Sequence, residues 1–265
     1  MSFEPFKRAY LGTRQLMIDG SFLCLGSEIF QLIRENNMTF TKIVAQKAAP
    51  YWQGSLRHPF IVQLQAGTLP LDRFRYYLIQ DHYYLQHFSR LHQLVANRCQ
   101  DAALRQIMRQ GAIDLASGEQ QLRQQQFQAL NITEQEVKQT PIAPTTDHYI
   151  AHLYRQLHAD NAAVAAAALY PCAWLYGDIG VALQQQAPSP NRYYQEWIDL
   201  YAGEALQDEI HATGEVLDRL YEASCKADRE QMVAVFVRSS QLEYHFWEMA
   251  YQKETWLKGN EYDAQ

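Results

Sequence analysis

From Thr39 onward, apolar residues recur at intervals of three and four with few interruptions. The chain has 265 residues but only 12 glycines and 9 prolines. A 3.6-residue period with so few breakers fits long amphipathic helices and leaves no alternation worth assigning to strands. The stretch "LDRFRYYLIQDHYYLQHFSRLHQLVANR" predicts one helix from about Leu71 to about Arg98. Asp101 has the position of an N-cap for a helix reaching about Leu130. Thr133 and Glu136 stand at capping-box spacing. Further helical segments follow Pro144, Asn161 and the turn "APSPN", and a last one runs from about Asp228 to about Trp256. The fold class expected is all-α, a single bundle of about seven to nine helices.

Composition narrows the function. With 48% apolar and 20% charged residues, the chain folds rather than staying disordered. The net charge is -6 and no basic stripe occurs, so nucleic acid is not expected as a partner. No apolar run reaches the ~18 residues of a membrane span, so a membrane is not expected either. The cysteines at 24, 99, 172 and 225 lack disulfide or metal spacing, for which a reducing cytoplasm is the simplest reading. Residues 1–37 differ in texture from the rest. "FLCLG" is too short, and too close to Asp19, for a secretory signal. The expected division is an N-terminal extension or misassigned start at 1–37 and a helical domain at 38–265.

The chain is rich in tyrosine, with 17 beside 11 phenylalanines and 5 tryptophans. Tyrosine joins a flat apolar face to a hydroxyl, which hints at a pocket for a flat, polar small molecule. Three helices also carry polar groups on stripes that otherwise read as core. Asp81 lies four residues after Tyr77 and three before Tyr84, in the middle of an apolar face. Glu243 lies three after Ser240 and four before Trp247. In "LYPCAWLYGDIG", Cys172 and Tyr176 are i and i+4 neighbours. A buried carboxylate is costly unless hydrogen-bonded or protonated. Each acid alone is explained by helix-to-helix hydrogen bonding, and a buried thiol alone by packing. Two acids and a thiol together in a tyrosine-rich bundle favour chemistry. Pro171 removes one backbone donor just before Cys172 and is expected to kink the helix there.

Metal chemistry finds less support. His148 and His152 are four apart but lack the glutamate of a zinc-protease motif. Asp208 and His211 are spaced like half of a di-iron site with no matching Glu-x-x-His pair.

The segments "PYWQGSLRHPFIVQLQAGTLPLDRFRYYLIQDHYYLQHF", "PTTDHYIAHLYR", "LYPCAWLYGDIG", "YYQEWIDLYAGEAL" and "SSQLEYHFWEMAYQKETW" occur in one order between about Met38 and Trp256. As a set they resemble the TenA family, thiaminase II or aminopyrimidine aminohydrolase, in its cysteine-containing branch. The resemblance implies a haem-oxygenase-like bundle, a homotetramer, and hydrolysis of the C–N bond at the 5-methylene of an aminopyrimidine or of thiamin. It implies no metal and no organic cofactor. It implies Cys172 as nucleophile, Glu243 as acid and base, Tyr84 as activator of the thiol, and Asp81 as the carboxylate that holds the amino-pyrimidine. Tyr176 and Tyr201 fall on ring-contacting positions, and Tyr149 falls on a further pocket tyrosine that binds substrate. "DLYAGEAL" and the Gln-Leu of "SSQLEY" depart from the commoner family pattern and put the pocket's shape in question. A metal-dependent oxidase on the same bundle and a non-catalytic pyrimidine-binding regulator are the alternatives.

Overall fold

The computed structural model describes residues 38–158 and 161–256. The expected extension at 1–37 lies outside the described residues. Eleven α-helices are present among the described residues: α1 Phe40–Arg57, α2 Pro59–Gln65, α3 Leu71–Arg98, α4 Ala102–Asp114, α5 Gln120–Ala129, α6 Glu134–Gln139, α7 Pro144–Leu157, α8 Ala162–Gln184, α9 Arg192–Tyr201, α10 Glu204–Ala223 and α11 Lys226–Gln252. A π-helical turn, Leu115–Glu119, joins α4 to α5. No strand occurs among the described residues, as the periodicity predicts.

Several helix starts follow from single side chains. Thr39, Asp101, Thr133, Asn161 and Asn191 each accept a hydrogen bond from a backbone N–H of the first turn. Such caps satisfy donors that the helix itself leaves open. The count exceeds the sequence expectation because two predicted helices are divided. The π-helical turn interrupts the one that starts after Asp101, and Ala202 and Gly203 separate α9 from α10. The last helix stops at Gln252 because Lys253 takes left-handed dihedrals, with φ 52.

Helix α8 is the centre. It is apolar all round, and the run Val164–Pro171 is buried without a gap. Its alanines let neighbouring helices approach closely, and α11, α10, α9, α3 and α7 pack around it. By length and composition α8 is also long and apolar enough to cross a bilayer, contrary to the sequence reading, and 72% of its apolar window is buried inside the bundle. The helix continues through Pro171, so Ala167 C=O lacks the donor that a non-proline residue would supply.

Candidate active site

Five helices bring the seven predicted residues to one place. Helix α3 supplies Asp81 and Tyr84, α7 supplies Tyr149, α8 supplies Cys172 and Tyr176, α9 ends in Tyr201, and α11 supplies Glu243. Asp81, Tyr84, Tyr149, Tyr176 and Glu243 are buried, and Cys172 and Tyr201 are half-buried.

Glu243 is the hub. Its Oε1 accepts a 2.6 Å hydrogen bond from the Tyr149 hydroxyl, and the Cys172 thiol donates to the same carboxyl. Burial pushes the Glu243 carboxyl up to about 8. The Tyr149 bond works against that rise, the nearby Asp81 charge adds to it, and the thiol bond opposes it. Burial holds the Tyr149 and Tyr84 phenols well above their ordinary range, so both remain donors. The charges that act next on Tyr84 are those of Cys172, Tyr149 and Glu243. The buried Tyr84 hydroxyl makes no well-formed protein hydrogen bond, although the Tyr149 hydroxyl is near enough to act on it. It is a donor available to a thiolate or a ligand.

Aromatic rings close the site on two sides. The Tyr84 ring lies 4.9 Å from that of Tyr149 and 6.0 Å, edge-on, from Phe246. Tyr176 lies 4.8 Å from Tyr201 and 5.0 Å from Trp247. Beyond burial, the Tyr176 phenol feels Tyr77, Glu243, Asp81 and Tyr201, which joins this wall to the acids. Gly180 explains the approach of Tyr201: a Cβ there would stand 2.5 Å from the Tyr201 carbonyl carbon and 2.6 Å from Ala202 N. Phe246, Trp247, Trp197 and Tyr77 are parts of the wall that sequence reasoning does not single out as site residues. Their signal was present, since each occupies a stripe or motif segment quoted for another residue.

Among the described residues, no group of three or more His, Cys, Asp or Glu side chains stands close enough to hold a metal ion. A separate cleft of about 360 Å³ opens between α3, α6 and residues 253–256, lined in part by Arg75, Tyr76, Glu136, Lys253 and Glu254. None of the seven predicted side chains lines it.

This arrangement, a thiol hydrogen-bonded to a buried acid within an aromatic shell, suits nucleophilic attack on a flat ring. A profile of the TENA/THI-4/PQQC family matches residues 45–253. The chain belongs to that family. Among TENA/THI-4/PQQC relatives, an aminopyrimidine aminohydrolase of Bacillus subtilis is 37% identical over 219 residues, covering 83% of this chain and 92% of its own. An aminopyrimidine aminohydrolase of Helicobacter pylori is 29% identical, covering 81% and 100%. Of solved structures, a TenA family transcription regulator from a Silicibacter species matches with a TM-score of 0.73 at 26% identity, over 82% of this chain and 99% of that one. A Shewanella denitrificans domain with a heme oxygenase-like fold matches with a TM-score of 0.64 at 17% identity, over 82% and 94%, and supports the fold alone.

Proposed function

We propose that the chain hydrolyses the C–N bond at the 5-methylene of a 4-amino-2-methylpyrimidine, releasing the hydroxymethyl pyrimidine, in thiamin salvage or degradation. The leaving group is an amine, or the thiazolium of thiamin. The observation that carries this reading is the Cys172–Glu243 hydrogen bond at a buried, aromatic-walled point. The kinship with aminopyrimidine aminohydrolases supports it.

The residues divide the work as follows. Glu243, ionised, takes the thiol proton of Cys172. Burial, which pushes this carboxyl up to about 8, makes it a stronger base than an exposed glutamate. The thiolate adds to a ring carbon, and the electrons that enter the ring expel the leaving group from the methylene. Glu243 returns the proton to a departing amine. Water then adds to the methylene as Glu243 takes its proton, the ring expels the thiolate, and Glu243 re-protonates the sulfur. The net change is one C–N bond exchanged for one C–O bond, with one water consumed. Tyr84 donates to the thiolate. Asp81 accepts from the exocyclic amine or a protonated ring nitrogen, and Tyr149 holds Glu243. Tyr176 and Tyr201 contact the ring.

Cysteines without paired spacing fit a reducing compartment, and the cytoplasm is part of this proposal. A homotetramer is part of the same proposal. Analytical ultracentrifugation tests it.

The deciding experiment incubates the protein with aminomethyl aminopyrimidine and, separately, with thiamin, and follows hydroxymethyl pyrimidine by mass spectrometry. Product is expected from at least one, and Cys172→Ser should lower turnover by about 10³-fold or more while ligand still binds. Absence of product from both substrates overturns the function, and near wild-type turnover by Cys172→Ser overturns the nucleophile.

A further inference from the structure

Tyr77 lies on α3 one turn before Asp81 and is fully buried. Trp197 of α9, 2% exposed, donates its Nε1–H to the Tyr77 hydroxyl at 3.2 Å. Both rings also meet Trp247: Tyr77 stacks on it at 5.8 Å and 25°, and Trp197 meets it edge-on at 6.2 Å. Tyr176 touches the same two indoles, at 5.9 Å from Trp197 and 5.0 Å from Trp247. Tyr77 and Tyr176 are therefore set by one pair of tryptophans, the four residues coming from four helices.

A phenol has one proton and two acceptor sites. Because the indole N–H occupies one acceptor site of Tyr77, the phenol's own proton is aimed away from Trp197. Asp81 stands one turn further along the same face of α3, and the Tyr176 phenol, packed on the same two tryptophans, is acted on by Tyr77, Glu243 and Asp81. Packing alone does not call for this pair. Phenylalanine would fill the Tyr77 position, whereas a buried phenol and a buried indole each require a partner.

We infer that Tyr77, oriented by the Trp197 indole, is a positioning residue for the aminopyrimidine, its hydroxyl fixing the two side chains, Asp81 and Tyr176, that hold the ring. This rests on the function proposed above. It assigns to Tyr77 a part in ground-state binding and none in the bond-breaking steps, which belong to Cys172 and Glu243.

The test is Tyr77→Phe, which keeps the ring and its stacking and removes one oxygen. KM for the pyrimidine substrate should rise by about tenfold with kcat within about twofold of wild type. The dissociation constant of hydroxymethyl pyrimidine, read by tryptophan fluorescence without turnover, should rise by the same factor. Trp197→Phe should weaken binding in the same direction, and the double variant should bind no more weakly than the weaker single variant. KM and dissociation constant both within twofold of wild type in a folded Tyr77→Phe protein overturn the inference. So does a lowered kcat with KM unchanged, which would move Tyr77 into the chemical steps. If wild type neither binds nor converts the pyrimidine, the proposed function itself fails. If wild type binds it without turnover, the binding measurements still decide the role of Tyr77.

Discussion

The Tyr149 hydroxyl donates to Glu243 Oε1 at 2.6 Å, a bond that joins α7 to α11 across 94 residues of sequence. The phenol stays protonated because burial holds it well above its ordinary range. It therefore acts as a fixed donor that favours the ionised form of Glu243, against a burial effect that favours the neutral form. The resulting carboxyl, at about 8, is tuned between acid and base near neutral pH, where a group that both gives and takes protons is most useful.

Tyr149→Phe removes that donor, so the Glu243 carboxyl should rise further. The proposed mechanism starts from ionised Glu243 beside a protonated thiol, so kcat/KM should climb with pH along an acid limb that reports the thiol–carboxyl pair. In Tyr149→Phe the limb should move up by about one pH unit, with activity partly recovered at higher pH. Profiles of kcat/KM for both proteins check this. An unshifted limb would separate Tyr149 from the titration of Glu243.

Glu243→Gln should lower kcat by about 10²-fold or more, with a modest effect on binding. It should also stabilise the fold. An unfolded glutamate ionises near 4.5, whereas folded Glu243 ionises only at about 8. The raised value means that this carboxyl lowers stability progressively as pH rises from 4.5 towards 8. Glutamine resembles the protonated acid and does not titrate. The melting temperature of the variant should exceed that of wild type by more at pH 8 than at pH 5. A gap that stays constant with pH would argue against a carboxyl raised by burial.

Helix periodicity made the bundle legible, because a stripe of Phe74, Tyr77, Leu78 and Tyr84 has one geometric meaning. The same logic exposed Asp81, Glu243 and Cys172, each a polar residue on an apolar face. The breaks were less legible. Leu115–Glu119 continues a helical pattern in sequence, and its π-helical turn carries no proline signal. The pairing of Trp197 with Tyr77 was not legible, because their hydrogen bond joins residues 120 positions apart, a relation that local spacing does not encode. Glu243 and Tyr149 were both named from sequence, but the bond between them depends on how α7 and α11 pack.

Gly180→Ala should damage the site without touching its polar groups. The added Cβ meets backbone atoms of Tyr201 and Ala202 at 2.5–2.8 Å, and backbone cannot rotate away as a flexible side chain can. The end of α9 has to move outward, carrying Tyr201 from its 4.8 Å ring contact with Tyr176. KM should rise about tenfold or more, and stability should fall by about 1–3 kcal/mol, as for an overpacked core. Steady-state kinetics and urea denaturation check the two effects, and an unchanged KM would show that Tyr201 is not needed for binding.

His92 should make the fold sensitive to acid. It is buried on α3, donates from Nδ1 to Phe88 C=O at 2.9 Å, and burial pushes it down to about 4 from 6.5. Below pH 6.5 the unfolded chain takes up a proton at this residue that the folded chain refuses until about pH 4. The histidine's contribution to stability is thus present above 6.5 and lost as pH falls towards 4. His152, also buried and also pushed to about 4, acts in the same direction. Glu243 acts in the opposite direction, so the total slope mixes several groups. Comparison with His92→Gln isolates one of them. The stability advantage of wild type over this variant, measured by urea denaturation, should shrink by on the order of 2–3 kcal/mol between pH 7 and pH 4.5. An advantage that does not change over that interval would mean that His92 is readily protonated in the folded protein.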